Sequence, residues 1–400
     1  MRWMSGCEQS VNDAVKGQEI MIDVNSRLAR YSMFYLAVVG VCVFIIQPAI
    51  VQGFVDALDM TPERAGYLAS AEMWGLAATT VLLALISHKV DWRLICRISL
   101  VIAVVGNLAS IGLEDFNSLA VVRFLTGLGL GGMISLPFAM VGMTANPDRN
   151  FGLLVVWVLV YGAVGVFITP WALVTVGLNG IWVFLAIFCG LGLFCIRFLP
   201  TGVQPEGEDG LSGKSLTPVL VVLVLGGVLF FNIAIGMSWA YVFLVGTDGG
   251  IEEQAVANVL TMSQFLGILG AGLAAFIAQR LGRVLPLAVG ILGTGVGTFL
   301  FLGDISYFLY SLAICLFNFA WNVAQPYLLA VMSGFANAAK MLVRAASLQM
   351  IGFAIGPYLA AELLGEGVSI FSDVYLIAGV LFVASWLMIL PAQLSKERQE

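Results

Sequence analysis

The fold class the sequence predicts is an all-α membrane protein, with twelve transmembrane helices in two pseudo-symmetric six-helix bundles. Three observations lead there. Of the 400 residues, 60% are hydrophobic and 10% are charged, against about 45–50% and 25% in soluble proteins. So little charge cannot coat a water-facing surface, whereas a lipid-facing helix needs none. Apolar runs of roughly 20 residues, each enough to cross a ~30 Å hydrocarbon core, follow one another along the whole chain. The basic residues, finally, collect on one side of the spans that these runs define.

In chain order, the polar stretch 1–30 has mixed charge and no apolar run close to its start. It reads as a retained cytoplasmic tail, not a signal peptide. Spans are expected near 32–55, 63–86, 94–113, 117–142, 151–176 and 181–199, which together make a first bundle over 31–199. The stretch 200–215, beginning Pro200-Thr201-Gly202 and rich in Gly, Pro and acidic residues, reads as a cytoplasmic linker. Six more spans near 216–245, 251–277, 284–302, 305–331, 341–364 and 370–393 form a second bundle over 216–393, before a short tail at 394–400. Two hairpins must be very tight, at Gly177-Leu178-Asn179-Gly180 and at Leu302-Gly303-Asp304-Ile305. Gly, Asn and Asp suit such turns.

Of the 18 basic residues, 16 lie on the tails and even-numbered connections, with Arg64 on the other side and Arg123 within a span. The positive-inside rule then places both termini in the cytoplasm, in a plasma membrane such as the bacterial inner membrane. No cofactor, metal or nucleic-acid partner is expected. The six cysteines are scattered without a CxxC pair, and His88 is the only histidine. Neither pattern makes a disulfide framework or a metal ligand set. No HExxH, GxSxG or paired-Asp motif occurs in a span, which argues against a membrane-embedded enzyme.

The halves repeat in sequence. After the second span comes Ser87-His88-Lys89-Val90-Asp91-Trp92-Arg93, and after the eighth comes Gln279-Arg280-Leu281-Gly282-Arg283. These loops resemble G-x-x-x-D-[RK]-x-G-[RK]-[RK], the loop signature of the major facilitator superfamily. The first keeps Asp91 and Arg93, and the second keeps Arg280, Gly282 and Arg283. Arg123, Gly127, Gly129 and Gly131 on the fourth span resemble the family's R-x-x-x-G-x-G-x-G. The resemblance covers about residues 30–393. It implies two bundles that rock about a central site lined by spans 1, 4, 7 and 10, a monomer, and gating loops at Asp91, Arg93, Arg280 and Arg283. Gly352, Gly356 and Pro357 on span 11 resemble a G-x-x-x-G-P element that family antiporters carry on span 5. On span 11 this likeness does not establish export.

Candidate site residues follow from polar groups at membrane depth. Glu72 is the one carboxylate deep in an expected span, and an ionisable group in lipid is a functional candidate by default. Taking and releasing a proton there would make it a proton-coupling site; the plainer reading is a polar anchor. Arg123 is the only base deep in a span, at a depth that allows an ion pair with Glu72. In the family such an arginine is associated with proton transfer or with helix packing. Asn318, Trp321, Asn322 and Gln325 recur at i, i+3, i+4 and i+7 on span 10, on one helical face. Gln47 on span 1, Trp157 and Tyr161 on span 5, Asn232 and Trp239 on span 7, and Gln264 on span 8 complete a candidate substrate-binding set.

That lining is amide-rich and aromatic. It suits a neutral small molecule or a monocarboxylate, whose carboxylate would meet Arg123. It does not suit a phosphorylated one, which would want several bases. The expectation is a secondary transporter working by alternating access and coupled to protons. An uncoupled facilitator, or a sensor that kept the transporter fold, is the alternative.

Overall fold

The computed structural model describes residues 23–86, 89–200, 217–277, 284–332, 338–365 and 371–397. Residues up to 22, His88, the gating-loop candidates Arg280 and Arg283, and residues 201–216, which hold all of the expected linker 200–215 but Pro200, lie outside the described residues. Eleven α-helices run through the rest: α1 (Arg27–Leu58), α2 (Pro62–Ile86), α3 (Trp92–Ala109), α4 (Phe116–Gly142), α5 (Pro147–Cys195), α6 (Pro218–Asp248), α7 (Glu253–Ile277), α8 (Val284–Phe299), α9 (Tyr307–Met332), α10 (Ala338–Gly365) and α11 (Phe371–Glu397). Local signals mark their starts. Ser26, Asp91 and Asp115 cap α1, α3 and α4 through side-chain oxygens, and Pro147 and Pro218 open α5 and α6.

Helix α5 holds 49 residues, about 74 Å at 1.5 Å per residue, more than twice a hydrocarbon core. It is two arms. The backbone leaves helical geometry at Gly177 (φ 67, ψ −177), a conformation open mainly to glycine. The second arm folds back on the first, stacking Phe188 on Tyr161 with ring centroids 5.3 Å apart. Asn179 pins the turn by accepting from the Gly112 N–H at 2.9 Å. The arms are the expected spans 151–176 and 181–199. Among the described residues ten helices, α5 counted once, are long and apolar enough to cross a membrane. The described α8, at 16 residues, spans about 24 Å and falls short of that length. Twelve full-length spans are therefore not all seen among the described residues.

Packing repeats between the halves. In the first, α2 and α3 pack on α4, and α1 packs on α5. In the second, α7 and α8 pack on α9, while α6 packs on α10 and α11. Glycines allow the close approaches: Gly352 and Gly356 of α10 seat against Asn232, Ile233 and Met237 of α6. The halves meet along two symmetric seams, α2 with α10 and α5 with α7, and through α1 with α6.

The helix ends define two faces. On the terminal face Asn25, before α1, accepts from the Ala145 N–H between α4 and α5, and Arg93 Nε donates to the Leu199 carbonyl at 2.7 Å. On the distal face, near the ends of α1 and α6, Thr247 Oγ1 donates to Gln52 Oε1 at 3.1 Å. Other bonds across the halves join Tyr241 to the Pro62 carbonyl, Ser70 to the Ala354 carbonyl, Thr261 to the Ala163 carbonyl and Gln254 to the Phe167 carbonyl. All of these lie at mid-depth or on the distal side. Helices α4 and α9, which run toward the terminal face, make no extended contact with each other among the described residues. Among the described residues, the hydrogen bonds that join the two halves therefore lie at mid-depth and on the distal side.

Candidate functional site

The polar centre of the first half is built on a close contact between α2 and α4. Gly127 of α4 lies so near the Glu72 backbone, and Gly75 of α2 so near the Phe124 carbonyl, that a side chain at either would collide. Gly131 meets the Leu76 backbone in the same way, while Gly129 faces Ser99 and Ala103 of α3. The R-x-x-x-G-x-G-x-G pattern is therefore a packing surface that carries Arg123 against α2 and α3.

Arg123 and Glu72 form a buried ion pair, through Nη2 to Oε1 and through Nε to Oε2 at 3.2 Å. Arg123 Nη1 donates to Asn107 Oδ1 and to Ser110 Oγ, each at 3.1 Å. The Trp182 ring covers the guanidinium at 4.4 Å. Arg123 is 0% and Glu72 2% exposed. Four of the five guanidinium N–H groups are used by the protein. A substrate carboxylate would have to break into this network to meet Arg123.

A second polar and aromatic cluster lies at mid-depth where the halves meet. Phe44 of α1 stacks on Phe353 of α10 at 4.4 Å and meets Trp321 of α9 edge-on at 6.2 Å. Trp239 of α6 lies 5.9 Å from Trp321, and its Nε1 donates to the Phe44 carbonyl at 2.9 Å. On the α7 side of α9, Asn318 Nδ2 donates to Ser263 Oγ at 3.1 Å, and Asn322 Nδ2 donates to Asn318 Oδ1 at 2.8 Å. Gly267 of α7 lies directly under Asn322, and Gln264 sits against Gly162 of α5. Among the described residues, several buried polar atoms have no hydrogen-bond partner: both amide atoms of Gln47, Asn232 Oδ1, Ser238 Oγ and Gln325 Oε1. Buried polar groups are normally paired, so such atoms mark places where a ligand or water completes the bonding.

The structure therefore brings Trp239 and Trp321 together, and Asn318 with Asn322. It separates others. Tyr161 lies between α1 and the second arm of α5, on Phe188 and beside the Cys42 thiol, inside the first half instead of at the seam. Trp157 packs against Tyr31 and Phe34 near the terminal end of α1. Asp91 is the N-cap of α3, accepting from the Arg93 and Leu94 N–H groups, while Arg93 ties α3 to Leu199. Sequence reasoning missed Asn107, Ser110 and Trp182. Asn107 and Ser110 stand three residues apart in an apolar span, and an amide at that depth was the available signal.

Two packed halves with repeated helix contacts and a polar, aromatic cluster at mid-depth where they meet follow a plan common among membrane transporters. The chain belongs to the Major Facilitator Superfamily, whose family model matches residues 33–357. It is a multi-pass membrane protein, and its relatives are transporters. It is 23% identical over 314 residues to the putative niacin/nicotinamide transporter NiaP of Bacillus subtilis (strain 168), covering 72% of this chain and 75% of that protein. A crystal structure of a D-xylose–proton symporter superposes with a TM-score of 0.71 at 16% identity, covering 90% of this chain and 97% of that one. One of the nucleoside transporter NupG gives 0.68 at 13% identity, covering 91% and 99%. At such identities these structures show the fold alone.

Proposed function

We propose that the chain is a proton-coupled secondary transporter. It moves a small organic molecule, uncharged or a monocarboxylate, across the plasma (bacterial inner) membrane by alternating access. It works as a monomer with both termini cytoplasmic. The observation that carries this reading is the Glu72–Arg123 pair enclosed in the first half. Ionisable groups are costly in a membrane interior and mark ion pathways and proton relays. Protonating Glu72 changes the charge of that core, which is what coupling requires.

The mid-depth cluster supports the substrate class. Amides at Gln47, Asn232, Asn318, Asn322 and Gln325 offer donors and acceptors without charge, beside the aromatic surfaces of Phe44, Trp239 and Trp321. Such a lining suits a planar ring bearing one amide or carboxylate. The name of the Bacillus relative fits this class. Bases on the described terminal face, among them Arg27, Lys89, Arg93, Arg149 and Arg197, support the orientation.

The test is uptake of labelled nicotinamide, nicotinate and neutral aromatic amides into proteoliposomes with and without an imposed pH gradient. Movement of one of these against its gradient, abolished by a protonophore, is the expected result. Equilibration unaffected by the pH gradient would replace this reading with an uncoupled facilitator.

A further inference from the structure

A buried pair that works by proton exchange has to solve a problem that a purely structural pair does not. When Glu72 takes a proton, Arg123 remains a cation buried in the first half, and its charge partner is gone. Unless neutral groups hold it there, the cation resists every protonation of Glu72. The structure supplies such groups on the side away from the carboxylate. Both hydrogens of Arg123 Nη1 are taken at the C-terminal end of α3, one by Asn107 Oδ1 and one by Oγ of the C-cap Ser110, each at 3.1 Å. The acceptors are themselves fixed. Asn107 Nδ2 donates to the Ala103 carbonyl at 2.8 Å, which turns Oδ1 toward the arginine, and Ser110 Oγ donates to the Gly106 carbonyl at 2.9 Å, leaving its lone pairs for Nη1. The Trp182 face completes the enclosure at 4.4 Å.

We infer that Asn107, Ser110 and Trp182 are positioning residues, a neutral cradle that keeps Arg123 in place while Glu72 is protonated and so lets Glu72 exchange its proton. The inference rests on the proposed proton coupling and assigns it a part that lies on neither charged residue. Other titratable groups do not take over this role. Beside Glu72 stand Arg123 of α4 and, at longer range, Cys42 of α1. Cys189 adjoins Asn107 and Cys42. Tyr241 of α6 and Tyr358 and Glu362 of α10 reach α2 nearer the distal face, at Gly66, Tyr67 and Glu63.

The consequence is a change in proton dependence more than in substrate binding. With the cradle removed, the ionised pair still holds Arg123, but the protonated state loses its support. In proteoliposomes, Asn107→Leu combined with Ser110→Ala should raise the proton concentration for half-maximal transport about ten-fold or more, the factor expected for losing a hydrogen bond to a charged group. The substrate KM at saturating proton concentration should stay as in wild type. Ser110→Ala alone should move the same way, and Ser110→Thr, which keeps the hydroxyl, should restore the wild-type profile. These single variants carry the test if the double variant does not fold.

A wild-type proton profile in the cradle variants, alongside proton-linked transport in wild type and its loss in Glu72→Gln, would overturn this inference alone. Transport without proton linkage in wild type would overturn the proposed function and the cradle with it.

Discussion

The indole N–H of Trp239 on α6 donates to the backbone carbonyl of Phe44 on α1 at 2.9 Å, across the boundary between the two halves. In an uninterrupted helix that carbonyl would accept from the amide four residues on, but residue 48 is proline, which has no N–H. Pro48 thus frees an acceptor at mid-depth, and the second half supplies its donor. Removing the donor should leave a buried carbonyl unpaired, so Trp239→Phe should cost about 1–3 kcal/mol. Pro48→Ala returns the amide to the helix, and in that background the same change should cost less. Thermal unfolding of the four proteins in detergent measures the coupling. Equal costs in both backgrounds would show that Pro48 and Trp239 act independently.

Gly127 fixes the distance between α2 and α4, because a Cβ there would collide with the Glu72 backbone, which cannot move aside as a side-chain end can. Gly127→Ala should therefore destabilise by about 1–3 kcal/mol, as overpacking does. The melting temperature in detergent reads this out. A change as mild as that at the open position Gly152, where nothing lies within 4 Å, would contradict the packing role.

The ion pair should be asymmetric toward mutation. Arg123→Leu leaves a buried carboxyl without its partner and should cost about 3–5 kcal/mol, whereas adding Glu72→Gln to it should recover much of that loss. Denaturation of the single and double variants tests this. A double variant less stable than Arg123→Leu would show that Glu72 has another partner.

Asp91 separates a gating charge from a helix cap. As the N-cap of α3 it accepts two backbone N–H groups, and asparagine caps about as well as aspartate, while alanine costs about 1 kcal/mol. Asp91→Asn should keep both stability and transport rate, and Asp91→Ala should lower stability. A transport defect in Asp91→Asn with unchanged stability would favour the gating role implied by the loop resemblance.

How much was legible in the sequence depended on whether a feature is local or crosses between helices. Lipid-facing composition and helix length are local, so helices long and apolar enough to cross a membrane are legible in the sequence, as is the hairpin at Gly177, while a full-length span at 284–302 is not seen among the described residues. The depths of Glu72 and Arg123 follow from helical rise, and the structure joins them. Which way a side chain points about its helix depends on neighbours distant in sequence. Tyr161 reads as a lining residue by position, yet it faces Phe188 within its own half. The span-10 face was readable because four residues repeat at helical spacing, and Trp321 and Asn318 do turn toward neighbouring helices. Asn107 and Ser110 do not stand out in sequence because neither carries charge, and only the structure shows the arginine they meet. Pro48 was visible, but not the indole that answers it.

The central claim is that a proton on Glu72 drives transport. The most direct measurement is the pH change when nicotinamide, nicotinate or a related aromatic amide is added to purified protein in lightly buffered liposomes, with wild type and Glu72→Gln side by side. A substrate-dependent proton movement in wild type that disappears in Glu72→Gln, while the variant still binds the substrate, is the predicted result. Equal substrate flux in both proteins with no proton signal in either would contradict the claim and leave Glu72 as a structural anchor of the first half.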